Sequence, residues 1–596
     1  MVKSSTVIWD LSDLYDGISD PEIENTLKTS LARAEEFSSK YKGKIDSPDL
    51  IAQMLRQALK EYERILQESD KPKSYAELLF SADTSDPKLG AFLQRMRERH
   101  SQIAVRLMFF GLELMAIPEE QMEKLLADSM LEKYRHFIWA QRLFREYRLS
   151  EPEEKILEDK ANTGRRAFTR LFEETVSNMP FHVAGQGNGE SITLPEALAL
   201  LRDSDRDTRK AAASGLTKGL TPNSRTVTYI HNTLIQDKAT DDRLRKYQYP
   251  EQSRHLANEV DPATVELVIK TAEDHYPLVA RYYNLKREIL GYDKLYHYDR
   301  YAPLFETSEK MPFDKGREIV LGSLGEFSPV LSDIAVKFFD NHWIDAEVRK
   351  GKRGGAFCSY ITPDLHPYIF LNYLNRLDDV MTLGHEMGHA VHAYLAKGQS
   401  YLNFAPVLTV AELASTFGEM LVFERLQAAA NLPDKLALYA DKIEGAFATI
   451  FRQAAMYRFE QAIHNMRRDQ GELTTEQFSA KWQELQQEMF GDSVELGEEH
   501  RLWWMYVPHF INTPFYVYAY TFGELLVMAL YAMYRRERET FPLKYIELLK
   551  TGGSSTPAEM LSRIGINIHD PGFWNGGMSV LAEMVDRFKI LYQEWK

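Results

Sequence analysis

The segment MTLGHEMGHAVHAY, residues 381–394, places His385 and His389 four positions apart, with Glu386 directly after the first histidine. On an α-helix four residues advance about 400°, so the two imidazoles differ by roughly 40° around the axis and about 6 Å along it. Both can meet one divalent cation. Glu386 lies about 100° further round from His385, beside such a cation and not over it. That is where a base for a metal-activated water belongs, and the spacing is the HExxH pattern of zinc hydrolases. The chemistry that needs it is hydrolysis of a poor electrophile such as a peptide bond. Zinc polarises the carbonyl and lowers the pKa of water to about 7, and a neighbouring carboxylate accepts the proton.

Two core histidines beside an exposed glutamate would spell the same five letters, so a third ligand must separate the readings. Downstream, TVAELASTFGEMLVFERL (residues 409–426) has a helical pattern in which Glu412 and Glu419 are seven apart and share a face. The rest of that face is apolar, a poor home for two unpaired carboxylates. One could bind a metal while the other accepts the free ring N–H of a ligand histidine. A solvated acidic stripe is the plainer alternative. Gly384 and Gly388 each weaken a helix by about 1 kcal/mol relative to alanine, which is reasonable where another helix or a substrate must come close.

Stepping outward, the histidine segment has the ends of a helix: Asp378-Asp379 at its start and Lys397-Gly398 at its stop. Just before it, GGAFCSYITPDLHPYIFLNYL has short β-branched and aromatic runs separated by Pro363 and Pro367, and reads as strands. Elsewhere helical periodicity dominates, through 50–68, 88–116, 119–130, 151–178, 207–220, 262–290, 313–339 and 434–470. Asp20-Pro21 opens a further helix with the stripe Ile23, Leu27, Leu31, Ala34, Phe37 and Tyr41. The fold class is mainly α with one small β-sheet beside the histidine helix. The Gly-rich break FHVAGQGNGESIT (181–193) suggests a hairpin and divides an N-terminal helical region, 1–185, from a catalytic region, 186–596.

At 596 residues the chain exceeds the usual size of one core, and more than one lobe is expected. A net charge of −15 argues against nucleic acid or an anionic membrane as partner. The single cysteine, Cys358, excludes an internal disulfide and a Cys-based zinc finger, and reads as a small packed residue. There is no apolar run of 18 residues and no basic-then-apolar leader pattern, so a cytoplasmic protein is expected. GKRGG lacks the GxxxxGK[ST] order of a phosphate loop. Oligomeric state is not legible.

HEMGH followed by AELASTFGE, together with WDLSDLY, GKRGGAFCSYI, HFINTPFYVYAYTFGELL and TGGSSTPAEMLSRIGI, resembles the oligoendopeptidase F family of thimet-oligopeptidase-like zinc metallopeptidases across essentially the whole chain. The resemblance implies one zinc ion per chain held by His385, His389 and Glu412, with Glu386 as general base and Glu419 hydrogen-bonded behind the ligands. His392 is read as lying behind the ligands or in the core. His509, Tyr516 and Tyr520 match the family's donors to substrate, a role in which a neutral donor at the oxyanion contributes about 3–4 kcal/mol. Tyr516 and Tyr520 share a face if their segment is helical, with Tyr518 pointing elsewhere; if it is extended, all three share one. Gly355, Ala356, Phe357 and Tyr360 match a sheet that lines the substrate, where an extended peptide can add as a strand. The implied fold is two helical lobes around a deep central channel, and the implied activity is cleavage of internal bonds in short unstructured peptides. A zinc carboxypeptidase or dipeptidase of similar fold, or a non-catalytic peptide-binding protein, are the alternatives.

Overall fold

The computed structural model describes residues 7–185, 190–305 and 310–596. The chain forms two compact units, each assembled from separated stretches: 1–145, 309–429 and 533–567 in the first, and 146–308, 430–532 and 568–596 in the second. Such interleaved bounds count the chain differently from the consecutive regions 1–185 and 186–596.

The first unit begins with three helices, α1 (Pro21–Tyr41), α2 (Ala52–Ala82) and α3 (Pro87–Ala116). Asp20 caps α1 by accepting the Glu22 N–H at 2.9 Å, with Pro21 at the first helical position where its missing N–H leaves no bond unmade. Ile23, Leu27, Ala34, Phe37 and Tyr41 of the expected stripe are buried against α2 and α3, and Leu31 is partly so. Burial of this kind is worth about 25 cal/mol per Å² of apolar surface, and supplies most of what holds an amphipathic helix in place. Helix α2 runs well past residue 68 and carries Pro72 in its interior.

The sheet expected before the histidine helix is present: β1 (Ile344–Asp345), β2 (Phe357–Ser359) and β3 (Tyr368–Phe370), in the order β1-β3-β2. β1 is parallel to β3, and β2 is antiparallel with Cys358 opposite Ile369. β2 is therefore an edge. The loop before it is pinned by charge: Lys352 donates to Asp345 at 2.6 Å and to the Leu371 carbonyl at 2.7 Å, and Arg349 reaches both Asp345 oxygens at 2.7 Å. GKRGG is thus tied to the sheet by its own lysine.

Two helices complete the part that matters for chemistry, α4 (Leu377–Ala396) and α5 (Leu413–Ala429). Asp379 closes the start of α4 by accepting the N–H groups of Leu374 and Arg376, both at 2.7 Å.

The second unit is helical. Its axis is α6 (Leu432–Gln470), flanked by α7 (Thr475–Phe490) and α8 (Pro571–Trp595), with Pro262–Asp274 and Tyr276–Leu290 also contributing to its core. The continuous stretch 262–290 is two helices because Pro277 opens the second; in the first unit Pro329 likewise divides 313–339. A proline has no N–H for the ladder and restricts the residue before it. Phe181 and Ile192 exchange both backbone hydrogen bonds, at 3.1 and 2.8 Å, as the expected hairpin requires; residues 186–189 between them lie outside the described set.

Candidate active site

The two glycines of α4 meet α5. A methyl group on Gly384 would lie 2.7 Å from a methyl of Val422, and one on Gly388 would lie 2.6 Å from the Cα of Ser415 and closer still to the Ala414 carbonyl. Gly418 on α5 answers, its missing Cβ position being 2.9 Å from the Gly384 carbonyl. Backbone therefore packs on backbone, which real side chains would prevent. This close crossing brings residues of α5 to the histidines.

The expected helix over 409–426 is interrupted. Leu408–Ala411 forms one turn, Glu412 leaves helical geometry at φ −85° and ψ 3°, and α5 restarts at Leu413. Glu412 is thus on a corner. Its Oε2 lies 3.3 Å from His385 Nε2 and 3.2 Å from His389 Nε2, and the three donor atoms fall within 4.8 Å of one another. Ligands about 2.0–2.2 Å from a tetrahedral zinc ion stand roughly 3.3–3.6 Å apart. The observed separations fit that edge length better than the roughly 2.8 Å of a charge-assisted hydrogen bond.

Glu419, seven residues on, takes the other side of the same ring: its Oε2 lies 3.3 Å from His385 Nδ1. A proton on Nδ1 would be held by that contact, and loss of the other ring proton would then leave Nε2 as the atom able to ligate. Ser415, to which the sequence pattern alone gave no role, donates to Glu412 Oε2 at 2.7 Å. Its signal was present in the i+3 spacing from Glu412. Burial opposes a charged His385 ring, but its bonds to Glu412 and Glu419 outweigh this and push it up to about 10. Glu412 is opposed by burial in the same way, yet both histidines hold its carboxyl far below the usual carboxylate range. A cation bound at this point would compete with a proton.

Glu386 is 5 % exposed, and its Oε2 has no hydrogen-bond partner among the described residues. Burial raises its carboxyl above the ordinary value, while the two histidines pull it back. A buried carboxylate oxygen without a partner among the described residues thus sits beside three convergent donors, an arrangement typical of functional sites. His392 is buried at 3 %, edge-on to Tyr360 with ring centres 6.5 Å apart, and neither ring nitrogen has a hydrogen-bond partner among the described residues. Burial, aided by His389, lowers it to about 3, so it stays neutral.

β2 lies against this site. The charge of Glu386 bears on Cys358, and those of Glu412 and Glu386 on Tyr360; burial, the larger cause, pushes both groups well above their ordinary values. Phe357 stacks on Phe370 at 4.8 Å. Gly355 sits exposed at φ +85°, a conformation glycine adopts freely, and Asn372 holds its carbonyl at 3.0 Å. Ala356 leads from that turn into the strand.

His509, Tyr516 and Tyr520 form one cluster in the second unit. His509 Nε2 is 3.2 Å from the Tyr520 hydroxyl, Tyr516 stacks on His509 at 6.2 Å, and the two tyrosine rings are 4.8 Å apart. Tyr518 points elsewhere, buried with its hydroxyl accepting from Asn258 at 2.9 Å. The segment is a turn at Tyr516 and Val517 that leads, through backbone bonds from Ala519 to Tyr516 and from Tyr520 to Val517, into the helix that begins at Tyr518. Burial, with Arg452 adding to it, lowers the basicity of His509 and favours its neutral form.

The model of peptidase family M3 matches residues 199–579, and that of oligopeptidase F matches residues 113–181. The chain belongs to peptidase family M3. The resemblance to oligoendopeptidase F read from HEMGH and AELASTFGE is borne out, and so is the mainly helical fold. Among curated relatives, oligopeptidase PepF of Bacillus subtilis (strain 168) is 28% identical, covering 94% of this chain and 83% of its own. A solved Chlamydophila abortus structure shares the fold at a TM-score of 0.86 and 23% identity over 98% of each chain. Oligoendopeptidase-F of Enterococcus faecium follows at 0.72 and 22%, over 96% of this chain and 99% of that one. This M3 chain is a peptidase, and peptides are its substrates.

Proposed function

We propose that the chain is a zinc-dependent oligoendopeptidase acting on short unstructured peptides, with His385, His389 and Glu412 as zinc ligands and Glu386 as general base. The observation that carries the reading is the convergence of three donor atoms, 3.2–3.3 Å from carboxylate to ring, beside a buried carboxylate with one free oxygen. Zinc bound there supplies a Lewis acid that polarises a carbonyl and makes water acidic near pH 7.

The chain's own residues do the rest. Glu386, its proton affinity raised by burial, takes the proton from the attacking water and can pass it to the departing amine. Glu419 fixes the His385 ring and its tautomer. Ser415 fixes one oxygen of Glu412. β2 offers an unpaired edge to an extended peptide, whose backbone would hydrogen-bond along it, with Gly355 and Ala356 admitting its close approach. His509, Tyr516 and Tyr520 are assigned as donors to substrate carbonyl oxygens.

The test is a digest of an internally quenched peptide and a peptide library, with products sequenced by mass spectrometry. Internal fragments support the proposal, and stepwise loss of C-terminal residues overturns it in favour of a carboxypeptidase.

A further inference from the structure

A groove of about 780 Å³ lies in the first unit between α2 and the short turn at Ser129–Tyr134. None of the residues assigned to hydrolysis lines it. Arg56, Lys60 and Arg64 line one wall, four residues apart along α2, and Lys133 lines the other. Steps of four on a helix rise about 6 Å and turn only about 40°, so the three cations form a short row.

The row is electrostatically incomplete. Three carboxylates share the groove, and each is engaged: Glu63 accepts from Tyr134 at 2.5 Å and from the Tyr401 N–H at 2.6 Å, Glu68 pairs with Lys71 at 3.4 Å, and Glu132 pairs with Arg135 at 3.0 Å. The side chains of Arg56, Lys60, Arg64 and Lys133 make no ion pair or hydrogen bond among the described residues. Four cations against three carboxylates leave the lining with an excess of positive charge, on a chain whose net charge is −15. Met130, 39 % exposed in the same groove, adds an apolar contact.

We propose that this groove binds an acidic oligopeptide in extended form. Side chains on one face of an extended peptide repeat every 6.6 Å or about that, close to the rise between successive cations of α2. Acidic residues at alternate positions would therefore each find a partner. Naming the occupant as a peptide of the class the enzyme consumes rests on the hydrolytic reading; the complementarity of charge and spacing does not. Glu63 and Lys133 also touch the link between α4 and Glu412. Glu63 holds the Tyr401 amide, and the Lys133 carbonyl accepts from Asn403 at 2.9 Å. An occupant of the groove thus bears on the segment that joins His389 to Glu412.

The experiment uses the full chain carrying Glu386→Gln, loaded with zinc, and a fluorescein-labelled peptide of alternating Glu and Ser. Anisotropy should report binding that weakens with added salt. Arg56→Ala/Lys60→Ala/Arg64→Ala in the same background should weaken it by about tenfold or more, with circular dichroism and zinc content unchanged. Hydrogen exchange at residues 401–404 should slow when the peptide is bound. Equal binding by the triple variant, equal binding of a Lys-Ser peptide, or displacement by short-chain polyphosphate at lower concentration would each overturn the assignment. Binding that leaves exchange at 401–404 unaltered would overturn the link to the zinc segment. Because the readout is binding to an inactive variant, its failure leaves the hydrolysis test standing, and the reverse holds too.

Discussion

On the proposed reading, three side chains beside the metal ligands divide the work at the site. Glu386 touches neither of its neighbours with the free oxygen, so removing its charge should spare the metal and stop the chemistry. Glu386→Gln is expected to retain one zinc per chain by elemental analysis and to lose about 10²–10⁴-fold in kcat. Glu419→Ala has the opposite signature: His385 loses the partner of Nδ1, and zinc affinity should fall by about 10–100-fold in a chelator competition. Ser415→Ala removes a bond to a charged oxygen worth about 1.5 kcal/mol, so roughly tenfold in affinity is expected. Equal loss of metal in all three variants would contradict this division.

The crossing of α4 and α5 is decided by glycine. Gly388→Ala sets a methyl group against the Ala414 carbonyl and the Ser415 Cα, neither of which is the flexible end of a side chain. Overpacking of this kind costs about 1–3 kcal/mol, and here it should also spread Glu412 from the histidines. The expected outcome is a lower Tm together with weaker zinc binding. Gly445, exposed within α6, has nothing within 4 Å of its missing Cβ, so Gly445→Ala should raise stability by about 0.5–1 kcal/mol in urea unfolding. A destabilising result there, or a neutral one at Gly388, would refute the packing argument.

For the molecule as a whole, the proposed metal would compete with protons for the same atoms. His385 is held up to about 10 by Glu412 and Glu419, so below that value the ring must give up a proton before it can ligate. Apparent zinc affinity should therefore rise with pH, by up to about tenfold per unit, and zinc should be shed as pH falls. If the proposed metal binds only the folded state, then at free zinc about 1,000 times Kd the protein should gain about 4 kcal/mol over the chelated form, read as a higher Tm in calorimetry. No single helix among the described residues is long and apolar enough to cross a membrane.

The four-residue spacing of His385 and His389 determined their common face, because a helix repeats nearly every four residues whatever surrounds it. The Asp20 cap, the proline-flanked sheet and the small-residue requirement at Gly384 and Gly388 were legible for the same local reason. Proline breaks at 277 and 329 were written in the letters but overruled by a continuous apolar pattern in the reading. What no local rule contained was the corner at Glu412, which turns one carboxylate toward both rings, and the choice of Glu419 for the opposite nitrogen of His385. Those depend on two helices crossing backbone to backbone, and on groups from separate elements meeting in three dimensions. The cations of α2 belong to the same class: their spacing is in the sequence, but only the folded chain shows that, among the described residues, no carboxylate forms an ion pair with them.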